Sequence, residues 1–177
     1  MITAGGQWWM TIRWRRRGLM AAIRVPRFSG TAVRDARTRR GWTRGQLSTQ
    51  VGVSLTSVAS WERGEGGPSA DALVTLAKVL GIEPGDLLDI PRSEWGQTEL
   101  RVTCGLEQKE VAAALRLSPA TISAVESTYS PLPSGLPERL AKLYDTSADE
   151  IRAAWQRDRQ RLNRALGERG PVTAPAP

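Results

Sequence analysis

The residue types that this chain offers for catalysis or metal binding are few. Among 177 residues there is no histidine and one cysteine, Cys104. The usual metal-ligand clusters and the Cys/His or Ser/His catalytic pairs therefore cannot be assembled. The acidic side chains are scattered and show no grouping typical of a carboxylate active site. The sequence predicts a protein that is not an enzyme, with no metal and no cofactor.

Arginine supplies the other available chemistry, which is attraction to phosphate. The chain holds 25 Lys and Arg against 18 Asp and Glu, a net charge of +7. Residues 1–28 contain six arginines and no acid, and residues 153–177 contain five basic and two acidic groups. Such basic ends favour nucleic acid as a partner. The alternative is that solvated arginine tails only keep the protein soluble.

Between these ends lies a stretch of low charge, TRGQLSTQVGVSLTSVASWERG, which runs from Thr43 to Gly64. Thr43 and Gln46 have the spacing of a capping box, so a helix is predicted to begin there. Gly52 permits the left-handed conformation that ends such a helix, and Ser54 can cap a second short helix. Two short helices joined by a turn of this length are typical of a helix-turn-helix.

The rest of the chain is predicted to be helical, and it contains an internal repeat. Alternating apolar and polar residues are hard to find, so the fold class is all-α. A shift of 64 residues aligns two copies of one small helical unit. The aligned pairs include Arg37 and Arg101, Gly41 and Gly105, Ser54 and Ser118, Glu62 and Glu126, and LAK at 76–78 and 140–142. Pro91 is predicted to stop the last helix of copy one, and Ser93 to cap the first helix of copy two.

These features divide the chain into four predicted segments. Residues 1–28 form a basic arm rich in Trp and Arg, which is expected to be disordered. Copy one spans 29–90, copy two spans 93–152, and residues 153–177 form a C-terminal helix and a disordered tail. An alternative for the arm is that translation begins at Met10 or Met20, so that residues 1–19 do not belong to the native protein.

The location of the protein follows from what the sequence does not contain. No apolar run of about 18 residues is present to span a membrane. The arginine cluster of the arm follows its aromatic stretch, which is unlike a secretory signal. A single cysteine argues against a disulfide framework. A cytoplasmic protein without a membrane span is predicted, although attachment of the Trp/Arg arm to a lipid surface stays an alternative.

Copy one resembles the lambda-repressor-like helix-turn-helix proteins, a family that includes Cro and many phage and bacterial regulators. The resemblance covers Val33 to Leu88. It rests on the Gly-Val-Ser turn at 52–54, the Trp-Glu-Arg-Gly exit at 61–64, the Pro-Ser pair at 68–69 and the Leu-Gly-Ile triplet at 80–82. Copy two matches more weakly, from Leu100 to Ile151. The resemblance implies two tandem five-helix domains, with the basic arm before them and the C-terminal helix after them.

The resemblance also implies specific roles in binding double-stranded DNA. The helix Ser54–Arg63 is expected to lie in the major groove with its N-terminal residues against base edges. The implied base-reading residues are Ser54, Leu55, Thr56 and Ser60, and the implied phosphate contacts are Thr43, Arg44 and Arg63. Arg37 and Glu62 match a structural ion pair of the family, which in copy two becomes Arg101 and Glu126. Trp42 and Trp61 are predicted to lie in the core.

The net charge of copy two makes it a weaker candidate for DNA binding than copy one. Its six basic and nine acidic groups give a net charge of −3, and its predicted second helix, from Ser118 to Thr128, holds no basic residue. Arg116 replaces the family's turn glycine. A second reading helix would use Gln108, Ser118, Pro119, Ala120 and Ala124. The hypothesis is that copy one reads DNA, while copy two packs against copy one or against a partner.

The resulting prediction is a sequence-specific DNA-binding transcriptional regulator that acts as a repressor does, by occupying an operator. The alternative function is an antitoxin or protein-interaction module that binds a protein partner through copy two or the C-terminal helix. A homodimer is a further expected partner state, since palindromes are read through two-fold symmetry, but two copies in one chain can also act as a pseudo-dimer. The stripe Ile151, Trp155, Leu162 and Leu166 has three possible uses: docking on copy two, pairing with another protomer, or lying along DNA.

Overall fold

The computed structural model describes residues 25–167, and over this range every regular element is helical. The all-α class is confirmed. Most of the basic arm and the C-terminal tail lie outside the described residues, and so do the predictions made for them. Copy one consists of α1 (Gly30–Arg39), α2 (Arg44–Val51), α3 (Leu55–Glu62), α4 (Ala70–Leu80) and a 3-10 turn at Pro84–Leu87. The fifth helix of copy one is therefore a single turn.

Copy two repeats this order with a longer last helix. A 3-10 turn at Arg92–Glu94 precedes copy two. Copy two itself consists of α5 (Gln97–Thr103), α6 (Gln108–Leu115), α7 (Pro119–Glu126), α8 (Leu136–Tyr144) and α9 (Ala148–Gly167). The bounds of α6 and α7 lie 64 residues after those of α2 and α3. The capping role predicted for Ser93 is wrong, because Ser93 lies inside the 3-10 turn and Gly96 precedes α5. The Glu99 carboxylate accepts the Gly96 N–H at 2.8 Å and supplies the cap.

Local signals explain where the helices of copy one begin and end. Ser29, Ser54 and Ser69 each accept a hydrogen bond from a backbone N–H three residues later, at the start of α1, α3 and α4. Gly52 adopts φ = 77° after α2, in the left-handed region that costs a residue with a Cβ about 1–2 kcal/mol. The predicted capping box at Thr43 is present at the start of α2.

One apolar core runs through both copies. In copy one its centre is formed by Val33, Leu47, Val58, Leu73, Leu76 and Leu87, all fully buried. Gly30 allows α1 to approach α3, because a Cβ built there would lie 2.0 Å from the Trp61 carbonyl oxygen. Of the two tryptophans predicted to be core, Trp61 is buried, whereas Trp42 is half-buried beneath the Arg40 guanidinium.

The two copies pack on each other mainly through α4 and α5. Gly105 lies so close to α4 that a Cβ on it would be 3.2 Å from Val74 Cγ2. The carboxylate of Glu107 accepts the backbone N–H of Ala70 at 3.1 Å, at the first turn of α4. Trp95, in the segment between the copies, is 5% exposed and packs its ring against Gly85 of copy one. The two copies are therefore in direct contact. This is one of the two arrangements that the sequence-based hypothesis allowed, in which copy two packs against copy one or against a partner.

The first half of α9 docks on copy two. Ile151, Ala154 and Trp155 are buried, and α9 contacts α5, α7 and α8. Farther along the same stripe Leu162 is half-buried, and Leu166 keeps 59% of its surface exposed. Docking on copy two, one of the three uses proposed for this stripe, thus accounts for its first two turns. The helix runs without a break through the domain boundary predicted at residues 152–153.

Candidate nucleic-acid interface

The N-terminal surface of α3, which the sequence predicts to read bases, is open in the described part of the chain. Ser54, Leu55 and Thr56 are exposed, and Leu55 keeps 55% of its surface accessible. Ser60, one turn later, is half-buried. The opposite side of α3 packs into the core of copy one. No described part of copy two covers Ser54, Leu55 and Thr56, so the first turn of α3 is free to contact another molecule.

The Ser54 hydroxyl caps α3 in addition to its predicted base contact. It accepts the backbone N–H of Ser57 at 3.0 Å, and the two serine hydroxyls lie 2.8 Å apart. Of the two hydroxyls in this pair, the one that donates keeps a lone pair and the one that accepts keeps its proton for another molecule. Ser57 was not predicted as a contact residue. Its place three residues after the cap puts it on the first turn of α3, and that spacing could have indicated it.

The start of α2 provides unpaired backbone N–H groups next to α3. Thr43 Oγ1 accepts the N–H of Gln46 at 3.2 Å, and Gln46 Oε1 accepts the N–H of Thr43 at 2.8 Å. The helix itself offers no partner to the N–H groups of Arg44 and Gly45, because the first turn of a helix has no preceding carbonyls. A helix start of this kind attracts anions such as phosphate. Thr43 and Arg44, both predicted phosphate contacts, are exposed here.

A buried carboxylate joins α1, α2 and α3 beneath this surface. The Glu62 side chain is fully buried; its Oε1 accepts Arg37 Nε at 2.6 Å, and its Oε2 accepts Arg44 Nε at 2.7 Å. Arg37 also donates its Nη2 to Oε2 at 3.1 Å and its Nη1 to the Trp42 carbonyl at 2.6 Å. Arg44, predicted only as a phosphate contact, is therefore a member of the ion cluster as well. Its side chain remains 45% exposed.

The charge state of Glu62 follows from these bonds. Burial by itself would raise the pKa of the carboxyl, but the hydrogen bonds and charges of Arg37 and Arg44 outweigh burial and hold the pKa below its ordinary value. The cluster of one carboxylate and two guanidinium groups thus carries an excess of one positive charge at neutral pH. The exposed member, Arg44, brings that charge to the surface.

Arg63, the third predicted phosphate contact, lies at the end of α3 and is paired with Glu65. Its Nε and Nη2 donate to the two Glu65 carboxylate oxygens at 2.7 and 2.5 Å. Both side chains are about half exposed, and such pairs are weak because water competes for them. A phosphate can replace Glu65 at small cost. The structure therefore places Thr43 and Arg44 together at the start of α2, and Arg63 follows Glu62, whose carboxylate holds Arg44, at the end of α3.

Copy two repeats the scaffold of this surface. Ser118 caps α7, with Pro119 and Ala120 exposed and Ala124 half-buried. Arg101 Nε donates to Glu126 Oε1 at 2.6 Å; burial by itself would lower the pKa of Arg101, but the hydrogen bond and charge of Glu126 outweigh burial and raise it. Arg116 adopts φ = 51° and ends α6 in the left-handed conformation that Gly52 has after α2. The turn between α6 and α7 therefore keeps the helix-turn-helix geometry although Arg116 replaces the glycine.

The polar groups of copy two differ from those of copy one at the predicted phosphate-binding positions. Gln108 stands where copy one has Arg44, and its neutral Nε2 donates to Glu126 Oε2 at 2.9 Å. Glu107 stands where copy one has Thr43, caps α6, and is bonded to α4 of copy one. Ser127 stands where copy one has Arg63. This end of α6 offers a carboxylate in place of a cation, and it lies at the contact between the copies.

Comparison with known protein families agrees with this geometry. The model described as Helix-turn-helix matches residues 33–87, and the model described as Helix-turn-helix domain matches residues 98–154. Together these matches cover more than half of the chain. The chain belongs to the lambda-repressor-like helix-turn-helix family. No curated protein and no solved structure matches it.

As a tandem helix-turn-helix protein of this family, the chain is a DNA-binding regulator by its domains, and such domains are typically not enzymes. In the range 25–167 no group of three His, Cys, Asp or Glu side chains could hold a metal ion. Desolvation of the thiol and the nearby Asp145 raise the pKa of Cys104 to about 11, which makes it a poor nucleophile. None of the helices in that range has the length and apolar character of a membrane span.

Proposed function

We propose that this tandem helix-turn-helix protein is a sequence-specific transcriptional regulator that reads the major groove with the helix Ser54–Arg63 of copy one. It acts without chemistry, as a repressor that occupies an operator. The observation that carries the proposal is the open N-terminal face of α3 together with the exposed Arg44 at the start of the adjoining helix α2. Short side chains allow close approach to base edges, and the cation beside them binds the backbone.

Base contacts and phosphate contacts have different expected effects in this proposal. Thr56 has a hydroxyl that donates to or accepts from a base edge, and Leu55 has an apolar side chain suited to a thymine methyl group. Arg44 binds phosphate and carries no sequence information. Copy two contributes little to affinity, because its equivalent surface has Gln108 and Glu107 and its net charge is negative.

Selection of bound fragments from random DNA, followed by affinity measurements on the selected duplex, tests the proposal. Arg44→Ala should weaken binding to every duplex and reduce the salt slope by about one unit. Thr56→Ala should instead lose preference at one base pair, at about 1–3 kcal/mol of discrimination. Gln108→Ala is the matched control in copy two and should change neither quantity. Selection that returns no common sequence, or equal loss on all duplexes for Arg44→Ala and Thr56→Ala, contradicts base reading by α3.

The oligomeric state is the second part of the proposal. A homodimer would present two α3 helices to a palindromic operator, one from each chain. Sedimentation with and without the selected duplex separates one chain per duplex from two. A partner protein bound through copy two is the alternative function, favoured by the uncharged surface of α7. Co-purification with a small protein encoded next to this one, at fixed stoichiometry, would support that alternative.

A further inference from the structure

The two oxygens of the Glu62 carboxylate accept the Nε groups of two arginines that come from different helices. Its Oε1 accepts Arg37 Nε, from α1, and its Oε2 accepts Arg44 Nε, from α2. Glu62 itself is the last residue of α3, and its side chain is fully buried. A carboxylate that is desolvated and bonded on both oxygens holds its partners in a fixed geometry. Glu62 therefore sets where the Arg44 guanidinium lies relative to α3.

Arg44 keeps most of its donors for another molecule. Only its Nε is engaged, so the terminal nitrogens Nη1 and Nη2 have no partner among the described residues. The residue is the first of α2, next to the unpaired backbone N–H groups at the start of that helix. A phosphate diester at this point would meet a bidentate fork and a helix N-terminus together.

Copy two contains the same arrangement without the charge, which makes it an internal comparison. Glu126 accepts Arg101 on Oε1 at 2.6 Å and Gln108 on Oε2 at 2.9 Å, as Glu62 accepts Arg37 and Arg44. The network of copy two therefore forms with one arginine and the neutral Gln108, and the Thr98 hydroxyl is a further donor to Glu126 Oε2 at 3.2 Å. A second arginine is not a requirement of this arrangement, so its presence in copy one is open to another explanation.

We propose that Glu62 is a positioning residue for DNA binding: it holds Arg44 by Nε, so that one phosphate contact keeps a fixed register with the reading surface of α3. The inference rests on the proposed function of copy one. Through this link, a phosphate bound by Arg44 determines which base pair lies opposite Thr56. Loss of Glu62 would then reduce discrimination between sequences without removing a cation, whereas loss of Arg44 would also lower the affinity for every duplex.

The pair Glu62→Gln and Glu126→Gln tests this role in the full chain. A glutamine keeps the shape but has a single acceptor oxygen, so it cannot hold both arginine Nε groups. Electrostatics alone predicts that removing the negative charge of Glu62 strengthens binding to all DNA and steepens the salt dependence. Positioning predicts that the ratio of affinities for the selected and an unrelated duplex falls by about tenfold, the effect of one lost contact. Glu126→Gln breaks the same network in copy two and should leave the ratio unchanged.

The test includes a check that each variant is folded and a second substitution for the case in which Glu62→Gln is not. Circular dichroism at the binding temperature shows whether Glu62→Gln is folded. If it is not, Arg44→Lys serves, because lysine keeps the charge but has no Nε–H for Glu62 and no fork for phosphate. Its salt slope should match the wild type, while its affinity ratio falls. A ratio that stays at the wild-type value in a folded variant overturns the positioning role. A wild-type chain that shows no preference among duplexes refutes the proposed function itself.

Discussion

At the scale of single residues, the arginines of copy one divide into three kinds by their surroundings. Arg37 is 13% exposed and bonded through all three nitrogens, so its role is structural. Arg44 is shared between the buried Glu62 and the surface. Arg63 pairs with the exposed Glu65 and with no other side chain among the described residues. Residue type alone does not distinguish these roles, because each depends on whether a carboxylate is buried beside it.

Replacement of Arg37 should destabilise copy one strongly. In Arg37→Met the buried Glu62 loses two of its three hydrogen bonds, and breaking a buried pair from one side costs roughly 3–5 kcal/mol. Arg39→Met, an exposed position on the same helix, should change the free energy of unfolding by less than about 0.5 kcal/mol. Urea unfolding followed by circular dichroism measures both. Equal small effects would show that the cluster adds little to stability.

The same cluster should make stability sensitive to acid. The folded pKa of Glu62 lies below its unfolded value of about 4.3, so its contribution is fully present above that pH and is lost as the pH falls through the folded pKa. Unfolding free energies at pH 7, 5 and 3 should therefore fall more steeply for the wild type than for Glu62→Gln. Parallel curves for the two proteins would exclude Glu62 as a source of the acid sensitivity.

At the scale of elements, copy two keeps the backbone turns of copy one after losing most of their glycines. Copy one has glycine at all four left-handed positions, Gly41, Gly52, Gly64 and Gly81. The equivalent residues of copy two are Gly105, Arg116, Thr128 and Asp145, and all four keep a positive φ. Side chains with a Cβ are strained in this region. The packing of α5 to α9 therefore holds three turns in a conformation that their own residues disfavour.

Relief of this strain should stabilise copy two. Arg116→Gly removes a cost of about 1–2 kcal/mol, part of which is offset by the greater freedom of glycine in the unfolded chain, so a gain of about 1 kcal/mol is expected. Gly52→Ala is the reverse change after α2 of copy one and should destabilise by a similar amount. Urea midpoints at constant slope provide the comparison. An Arg116→Gly variant no more stable than wild type would mean that Arg116 contributes an interaction that compensates for its φ.

At the scale of the whole molecule, the parts that could be predicted from the sequence are those with local signals. The caps at Thr43 and Ser54, the left-handed Gly52 and the 64-residue shift predicted α2, α3 and their repetition, because each depends on neighbouring residues or on a regular period. The start of α5 was predicted wrongly. Ser93 is a good capping residue by type, but α5 begins after Gly96, where Glu99 supplies the cap.

Contacts between distant residues could not be predicted, because they have no periodic signature. Trp95 packs on Gly85, Glu107 bonds to α4, and Arg44 shares Glu62 with Arg37. The open face of α3 was expected from the resemblance, but whether copy two would cover it depended on the packing of α5 against α4. That packing leaves α3 accessible and places the start of α6 at the contact between the copies.

Because the core is continuous across this contact, the two copies should unfold together. Trp95 is 5% exposed and covers Gly85 of copy one. Its backbone carbonyl accepts a hydrogen bond from Arg157 Nε of α9 at 2.7 Å. Calorimetry of the wild type should show one transition, with equal calorimetric and van't Hoff enthalpies. Trp95→Ala removes a buried indole at roughly 3–5 kcal/mol and should separate the melting of the two copies.

The half-buried Trp42 of copy one offers a matched control for this experiment. Trp42→Ala also removes an indole, but from the loop between α1 and α2, whereas the copies meet mainly through α4 and α5, so it should lower the melting temperature and preserve a single transition. If Trp95→Ala still melts in one transition with equal enthalpies, then the contacts of Gly105 and Glu107 with α4 are sufficient to couple the copies. Two transitions in the wild type would show instead that the copies fold independently, and that copy two is not required to hold α3 in the conformation that the structure shows.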